Sequence, residues 1–364
     1  MHLTPKTAIS LGVKRAKELG MPESAREGRP FNVPRSSEEP RAIELQRARE
    51  HGRGRGAKHP FQIPLAGWKD ILWRTYREVN SDRLLSIAGG VAFFVLFAIF
   101  PALTALVSGY GLFFNSASIG QNLSLMSDVV PSNVLDILRE QATRIASQSN
   151  KTLSIGVVAG ILVMLWSAMG GVKALIDALN VIYEQQESRS FFKLNFVALL
   201  FTLGGFAAFL VALSAVVALP LMLSTIGLGR DTAVLIQILR WPALLLVLLV
   251  GLAILYRYGP DRRVARWQWV SVGSLFASVV WIGASFLFSW YLAKFNTYNA
   301  TYGSIGAVLA MMMWLWISGV VVLLGAELNA EIEHQTAQDS TVGEEKPLGE
   351  RGAVVADTVG AKQE

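Results

Sequence analysis

Six long apolar blocks, separated by short polar stretches, constrain this chain more than any other feature. Each is long enough to cross a hydrocarbon core of about 30 Å as a helix rising ~1.5 Å per residue. The blocks fall near Leu84–Phe113, Leu153–Tyr183, Phe191–Leu223, Ala233–Tyr256, Trp267–Leu292 and Tyr302–Leu328. A backbone in lipid must satisfy its own hydrogen bonds, so blocks of this length predict helices. Only 16% of the residues are charged, against about 25% in soluble domains, which agrees with that reading. The expected fold class is all-α membrane: six transmembrane helices, an interfacial amphipathic helix before the first, and an external amphipathic helix in the first loop.

The interfacial helix is expected over residues 65–82. Trp68, Ile71, Leu72, Thr75, Tyr76 and Val79 recur at helical spacing there, with Lys69, Asp70, Arg74, Arg77 and Glu78 facing elsewhere. The external helix is expected in the loop 115–151, where Val134, Leu135, Ile137, Leu138 and Ile145 repeat between charged residues.

Loop charge sets the orientation. Ten Lys/Arg, from Lys69 to Arg266, flank one set of span ends, and six, from Arg139 to Lys294, flank the other. The richer side is expected to be cytoplasmic. An even number of spans then places both chain ends there. No cleavable signal is visible, so the first span is expected to direct insertion.

Three segments follow: a disordered basic cytoplasmic tail over 1–64, a membrane domain over 65–333 and a disordered acidic cytoplasmic tail over 334–364. Residues 1–64 carry thirteen Lys/Arg and seven Glu, which accounts for the whole net charge of +6. Such a tail suits contact with anionic lipid, and membrane lipids are the partners expected. No nucleic-acid partner is expected, and the sequence leaves the oligomeric state open.

The residues quoted next carry a resemblance. They are Ala88-Gly89-Gly90-Val91-Ala92-Phe93-Phe94 with Phe100-Pro101, Ala178-Leu179-Asn180, and Leu255 to Arg263 through Tyr258-Gly259-Pro260-Asp261. The last group is Tyr298-Asn299-Ala300-Thr301-Tyr302-Gly303-Ser304, Trp314-Leu315-Trp316 and Gly325-Ala326-Glu327-Leu328-Asn329. In order and spacing they resemble the YihY/virulence factor BrkB family of bacterial inner-membrane proteins, formerly labelled ribonuclease BN-like. The resemblance runs from about Trp68 to Glu333. It implies a six-helix protein of the bacterial inner membrane and identifies no catalytic residue.

The residues give little support to hydrolysis. There is no cysteine, and the four histidines lie in or beside the tails. No HxH or HExxH spacing occurs to supply a metal site for phosphodiester cleavage, so no metal, cofactor or catalytic residue is expected. Polar groups within spans are costly and default to functional candidates. Lys173 and Asp177, four apart, suit an intrahelical ion pair. Asn180, Glu327 and Asn329 suit a contact between the second and sixth spans, or a gate at the edge of a cavity there. The segment Lys294–Ser304, with Asn299 and Tyr302, suits an irregular polar closure over a central cavity.

The leading expectation is a transporter or translocator of a lipid or other envelope component. A non-transporting scaffold recruiting partners through its tails is the alternative, and a membrane-associated ribonuclease is disfavoured.

Overall fold

The six apolar blocks are helical in the computed structural model, which describes residues 38–113, 150–215, 230–294 and 297–363. Two units are distinguished, Met1–Leu45 and Gln46–Glu364. The first shows only the opening turns of α1 (Glu38–Ala48). The second holds α2 (Leu65–Ser81), α3 (Leu84–Phe113), α4 (Asn150–Ile182), α5 (Phe191–Leu213), α6 (Arg230–Tyr258), α7 (Trp267–Lys294), α8 (Thr297–His334) and a last turn, α9 (Val354–Asp357). The described residues form no strand; a lone antiparallel bridge joins Ala265 and Thr341. Helices α3 to α8 each contain a stretch long and apolar enough to span a membrane.

Helix α8 is the hub. It packs on α7, α3, α2 and α4, while α3 and α4 form the closest pair and α5 touches only α4 and α6 among its principal neighbours. Small residues explain the close crossings. A Cβ placed on Gly273 of α7 would lie 2.0 Å from the Gly325 carbonyl oxygen of α8. One on Gly170 of α4 would meet the Phe94 ring of α3 at 2.9 Å. Gly204 and Gly205 of α5, by contrast, have open space where a side chain would go.

Polar side chains then fix the register. Asn329 accepts the Gly273 N–H at 2.7 Å and donates to the Val270 carbonyl at 3.0 Å. The Tyr256 hydroxyl donates to the Val322 carbonyl at 2.7 Å, tying α6 to α8. Trp314 and Trp281 stack at 5.8 Å between α8 and α7, and the Trp316 indole donates to the Leu85 carbonyl of α3. Both tryptophans of α8 therefore serve bundle packing. Large apolar side chains such as Phe93, Trp166, Phe286 and Leu287 face outward, as expected where lipid is the solvent.

Four expectations differ from the structure. Helix α8 begins at Thr297, so the expected irregular closure at Lys294–Ser304 is mostly helix; Pro and Gly are too sparse there to stop it. In α2 two of the charges face inward: Asp70 and Arg74 are buried, while Lys69 and Arg77 are exposed, as are Leu65, Leu72, Trp73 and Tyr76. Pairing reverses the usual cost, because Asp70 meets Arg53 at 2.7 Å and Arg74 meets Glu331. The acidic residues 335–363, expected as a disordered tail, instead fold against the helix ends, with Gln335, Ser340, Thr341 and Val359 fully buried. On the N-terminal side, residues 46–63 also pack, and Arg55 is 3% exposed. The expected external helix lies outside the described residues.

Candidate functional site

Three helices end at one place. The last turns of α2, α4 and α8 surround a cavity of about 240 Å³. Its wall carries five carboxylates: Glu78 and Asp82 from the end of α2, Glu184 just past α4, and Glu327 and Glu331 from α8. Arg74, Arg77 and His334 stand against them, and Val355, Gly360, Ala361 and Gln363 of the C-terminal segment complete the wall.

The chain bends sharply to build this wall. Arg83 (φ 53°) and Glu184 (φ 52°) adopt the left-handed conformation that favours glycine. Each reverses the chain immediately after a helix, and the Gln185 N–H closes back on the Asn180 carbonyl at 2.7 Å. Such conformations persist in bulky residues only where the surroundings hold them, and they concentrate at functional sites.

Within the wall, Arg74 is fully engaged. Its guanidinium pairs with the Glu331 carboxylate and donates to the Gln335 side-chain oxygen (2.8 Å) and the Ala361 carbonyl (3.1 Å). Glu78 accepts the Ser81 hydroxyl at 2.7 Å. Glu327 differs. It is 2% exposed, and its Oε2 has no hydrogen-bond partner. A buried carboxylate oxygen without a donor is costly, so a site this polar calls for something in the cavity.

Asp82 shows the field these groups create. Burial, then the negative charges of Glu78, Glu184 and Glu331, push its carboxyl up to about 6. The folded state thus binds a proton more tightly than the unfolded chain, whose carboxyl titrates near ~3.9. Its stabilising contribution is complete below that value and is lost as pH rises through about 6. Thermal melting of the purified protein across pH 4–7 should show this falling step, and Asp82→Asn should flatten it.

The candidate residues from the sequence divide. Glu327 lines the cavity. Asn180 does not reach it: its amide donates to Glu187 at 2.9 Å and its oxygen accepts the Asp261 N–H at 2.8 Å. The expected meeting of Asn180 with Glu327 is absent because two loops pass beneath α4 and take both polar atoms. Asn329 is committed to the α7–α8 crossing. Asn299 and Tyr302 lie in the first turns of α8, with side chains outside those described. Lys173 and Asp177 form no ion pair; Lys173 reaches Asn195 of α5 at 3.2 Å. Glu78, Asp82, Glu184, Glu331 and His334 were not foreseen. Their only sequence signal is a charge at or just past the end of the amphipathic α2 and of two apolar helices, α4 and α8. Among the described residues no three His, Asp or Glu side chains converge closely enough to hold a metal ion.

The model of the family described as virulence factor BrkB matches residues 75–348. The chain belongs to that family. The match takes in Arg77, Glu78, Asp82, Glu184, Glu327, Glu331 and His334, and leaves out the residues 355–363 that close the cavity. BrkB-family relatives agree in extent. A putative ribonuclease-like protein, YfkH of Bacillus subtilis, is 30% identical over 249 residues, covering 66% of this chain and 86% of that protein. A UPF0761 membrane protein of Tolumonas auensis is 27% identical over 268 residues, 71% of this chain and 83% of its own. One from Pseudoalteromonas translucida is 24% identical over 282 residues, 75% and 88% of the two chains. No solved structure matches.

Proposed function

We propose that this membrane protein of the BrkB family is a translocator of a lipid or other envelope component in the bacterial inner membrane. The observation that carries this reading is Glu327: an ionisable side chain in a membrane-spanning helix, buried, with one carboxylate oxygen unpartnered, in a residue that lines a polar cavity at the bundle's end. Such residues mark substrate or ion pathways in membrane proteins. The cavity lies at the arginine-rich ends of the spans, so it opens toward the cytoplasm, where both chain ends also lie. The exposed Leu65, Leu72, Trp73 and Tyr76 of α2 suit a helix lying in the membrane interface beside it. Tail-mediated scaffolding has less support, because Gln335, Asp339, Arg351 and Asp357 of the C-terminal segment are bonded within the chain.

Liposomes test the reading. Reconstituted protein should move a fluorescent lipid between leaflets or an envelope precursor across the bilayer. Glu327→Gln should slow that movement about ten-fold or more, the loss expected for one charge-assisted contact. Wild-type protein that moves neither, with or without an ion gradient, would refute it. RNA degradation by pure protein, lost on the same substitution, would replace it with hydrolysis.

A further inference from the structure

We propose that the cavity beneath α2, α4 and α8 is a binding site for a small organic cation carrying a primary ammonium group. The inference does not rest on translocation: it concerns equilibrium occupancy of the cavity, whatever the protein moves.

Charge comes first. Five carboxylates face two arginines and a histidine across one small space. Arg74 is consumed by Glu331, Gln335 and Ala361, which leaves Arg77 and His334 against Glu78, Asp82, Glu184 and Glu327. Backbone dipoles add to the same sign. Three helix C-termini converge here, each bringing partial negative charge, against the single N-terminus of α3. The site therefore favours a cation.

Independent of the cluster, Glu327 points to a ligand. Its Oε2 is buried without a donor, and the residue lines the cavity. An ammonium offers three N–H donors and no acceptor, which suits a wall of acceptors. A directly ligated metal ion fits less well. No trio of acidic or histidine side chains among the described residues comes together tightly enough to coordinate one, so the negative charge is spread around a space rather than focused on a point. The volume, about 240 Å³, is below the ~300–1,000 Å³ of drug-sized ligand pockets. A diamine or a single ammonium headgroup is the right scale.

The closing wall supports a ligand that enters and leaves. Residues 355–363 close one side, and arginines hold them by their backbone carbonyls. Arg47 bonds Val359 (3.1 Å), Arg55 bonds Gly360 (2.7 Å) and Arg74 bonds Ala361 (3.1 Å). Asp70 accepts the Gln363 N–H at 3.0 Å. Val355, Gly360, Ala361 and Gln363 line the cavity on this side.

Calorimetric titration of the full chain in detergent micelles, at fixed ionic strength, tests the assignment. Putrescine should give a saturable, single-site heat. Glu327→Gln should weaken it about ten-fold or more, as expected when a buried charged partner is removed. Glu184→Gln, on the exposed rim, should weaken it several-fold in a protein whose fold it leaves intact. Tetramethylammonium, which has no N–H, should not bind. Competition by phosphatidylethanolamine in the micelle would place the ammonium on a lipid headgroup, and putrescine binding without competition would place it on a free amine; both support the site. No saturable heat from putrescine or from the ethanolamine lipid, unchanged heat in both variants, or full displacement by magnesium chloride at the same ionic strength would overturn it. The liposome assay reports separately, since binding can stand where transport fails.

Discussion

Gly273→Ala should unfold the α7–α8 crossing, with the larger part of the protein lost from the folded, monodisperse fraction in detergent. The added methyl would lie 2.0 Å from the Gly325 carbonyl oxygen and 2.6 Å from the Asn329 side chain. Neither neighbour is the free end of a flexible chain. The carbonyl belongs to a helix backbone, and Asn329 is held by two hydrogen bonds to α7 itself. Relief requires the helices to separate, which breaks those bonds and exposes buried polar groups. Overpacking alone costs about 1–3 kcal/mol, and a stranded buried amide adds about 1–3 kcal/mol. Gly204→Ala provides the contrast. That site has open space and lies in a helix interior, where alanine is favoured by about 0.5–1 kcal/mol. Thermal melts of the two variants should move in opposite directions. Equal melting of Gly273→Ala and wild type would show that the close crossing is not required.

The contrast between these glycines also shows what a sequence can and cannot convey. Both occur in apolar blocks, and nothing local separates a packed glycine from an open one. The spans themselves were legible because membrane length and apolarity are properties of single segments. Contacts between segments were not. Asn180 and Glu327 lie near the ends of their helices as expected, yet Asn180 turns to the loops at Glu187 and Asp261. Loop charge sets the ends of α2, α4 and α8 on one side, and that shared side is what gathers Glu78, Asp82, Glu184 and Glu331 around Glu327.

The C-terminal segment was misread for a related reason. Acidic composition suggests a solvated chain, but composition does not reveal local capping. Asp339 accepts the N–H groups of Thr341 and Lys346, and Asp357 those of Gly349, Arg351 and Gly352. Arg351 donates to the carbonyls of Ala337, Gln338, Lys346 and Ala356. Burial pushes Asp339 upward, but the amide bonds from Lys346 and Thr341 outweigh it and hold the carboxyl below its ordinary value. Carboxylates here organise turns, and turns of this kind leave only scattered Asp, Gly and Arg in the sequence.

Arg262→Leu should be the most damaging single change at this end of the bundle. The Arg262 guanidinium pairs with Glu333, with the two side chains 2% and 1% exposed. It also stacks over the Tyr183 ring at 4.8 Å. Deep burial works against the charged form of the guanidinium, but the Glu333 carboxylate outweighs it and raises Arg262 above its ordinary value. Leucine fills part of the space but leaves Glu333 charged, buried and held only by the Ser340 hydroxyl. Removing one partner of such a pair costs about 3–5 kcal/mol, because the survivor has lost its counter-charge without regaining water. The pair ties the α6–α7 loop to the last turn of α8, so its loss should also loosen the segment that continues into the cavity wall. Adding Glu333→Leu to Arg262→Leu should recover most of the stability, since both charges are then gone and apolar packing replaces them. Melting in detergent at low and high salt separates this from a surface effect: a buried pair is weakly screened, so the loss should persist at high salt. A double variant no more stable than Arg262→Leu alone would show that the contact to Tyr183, and not the ion pair, holds this corner together.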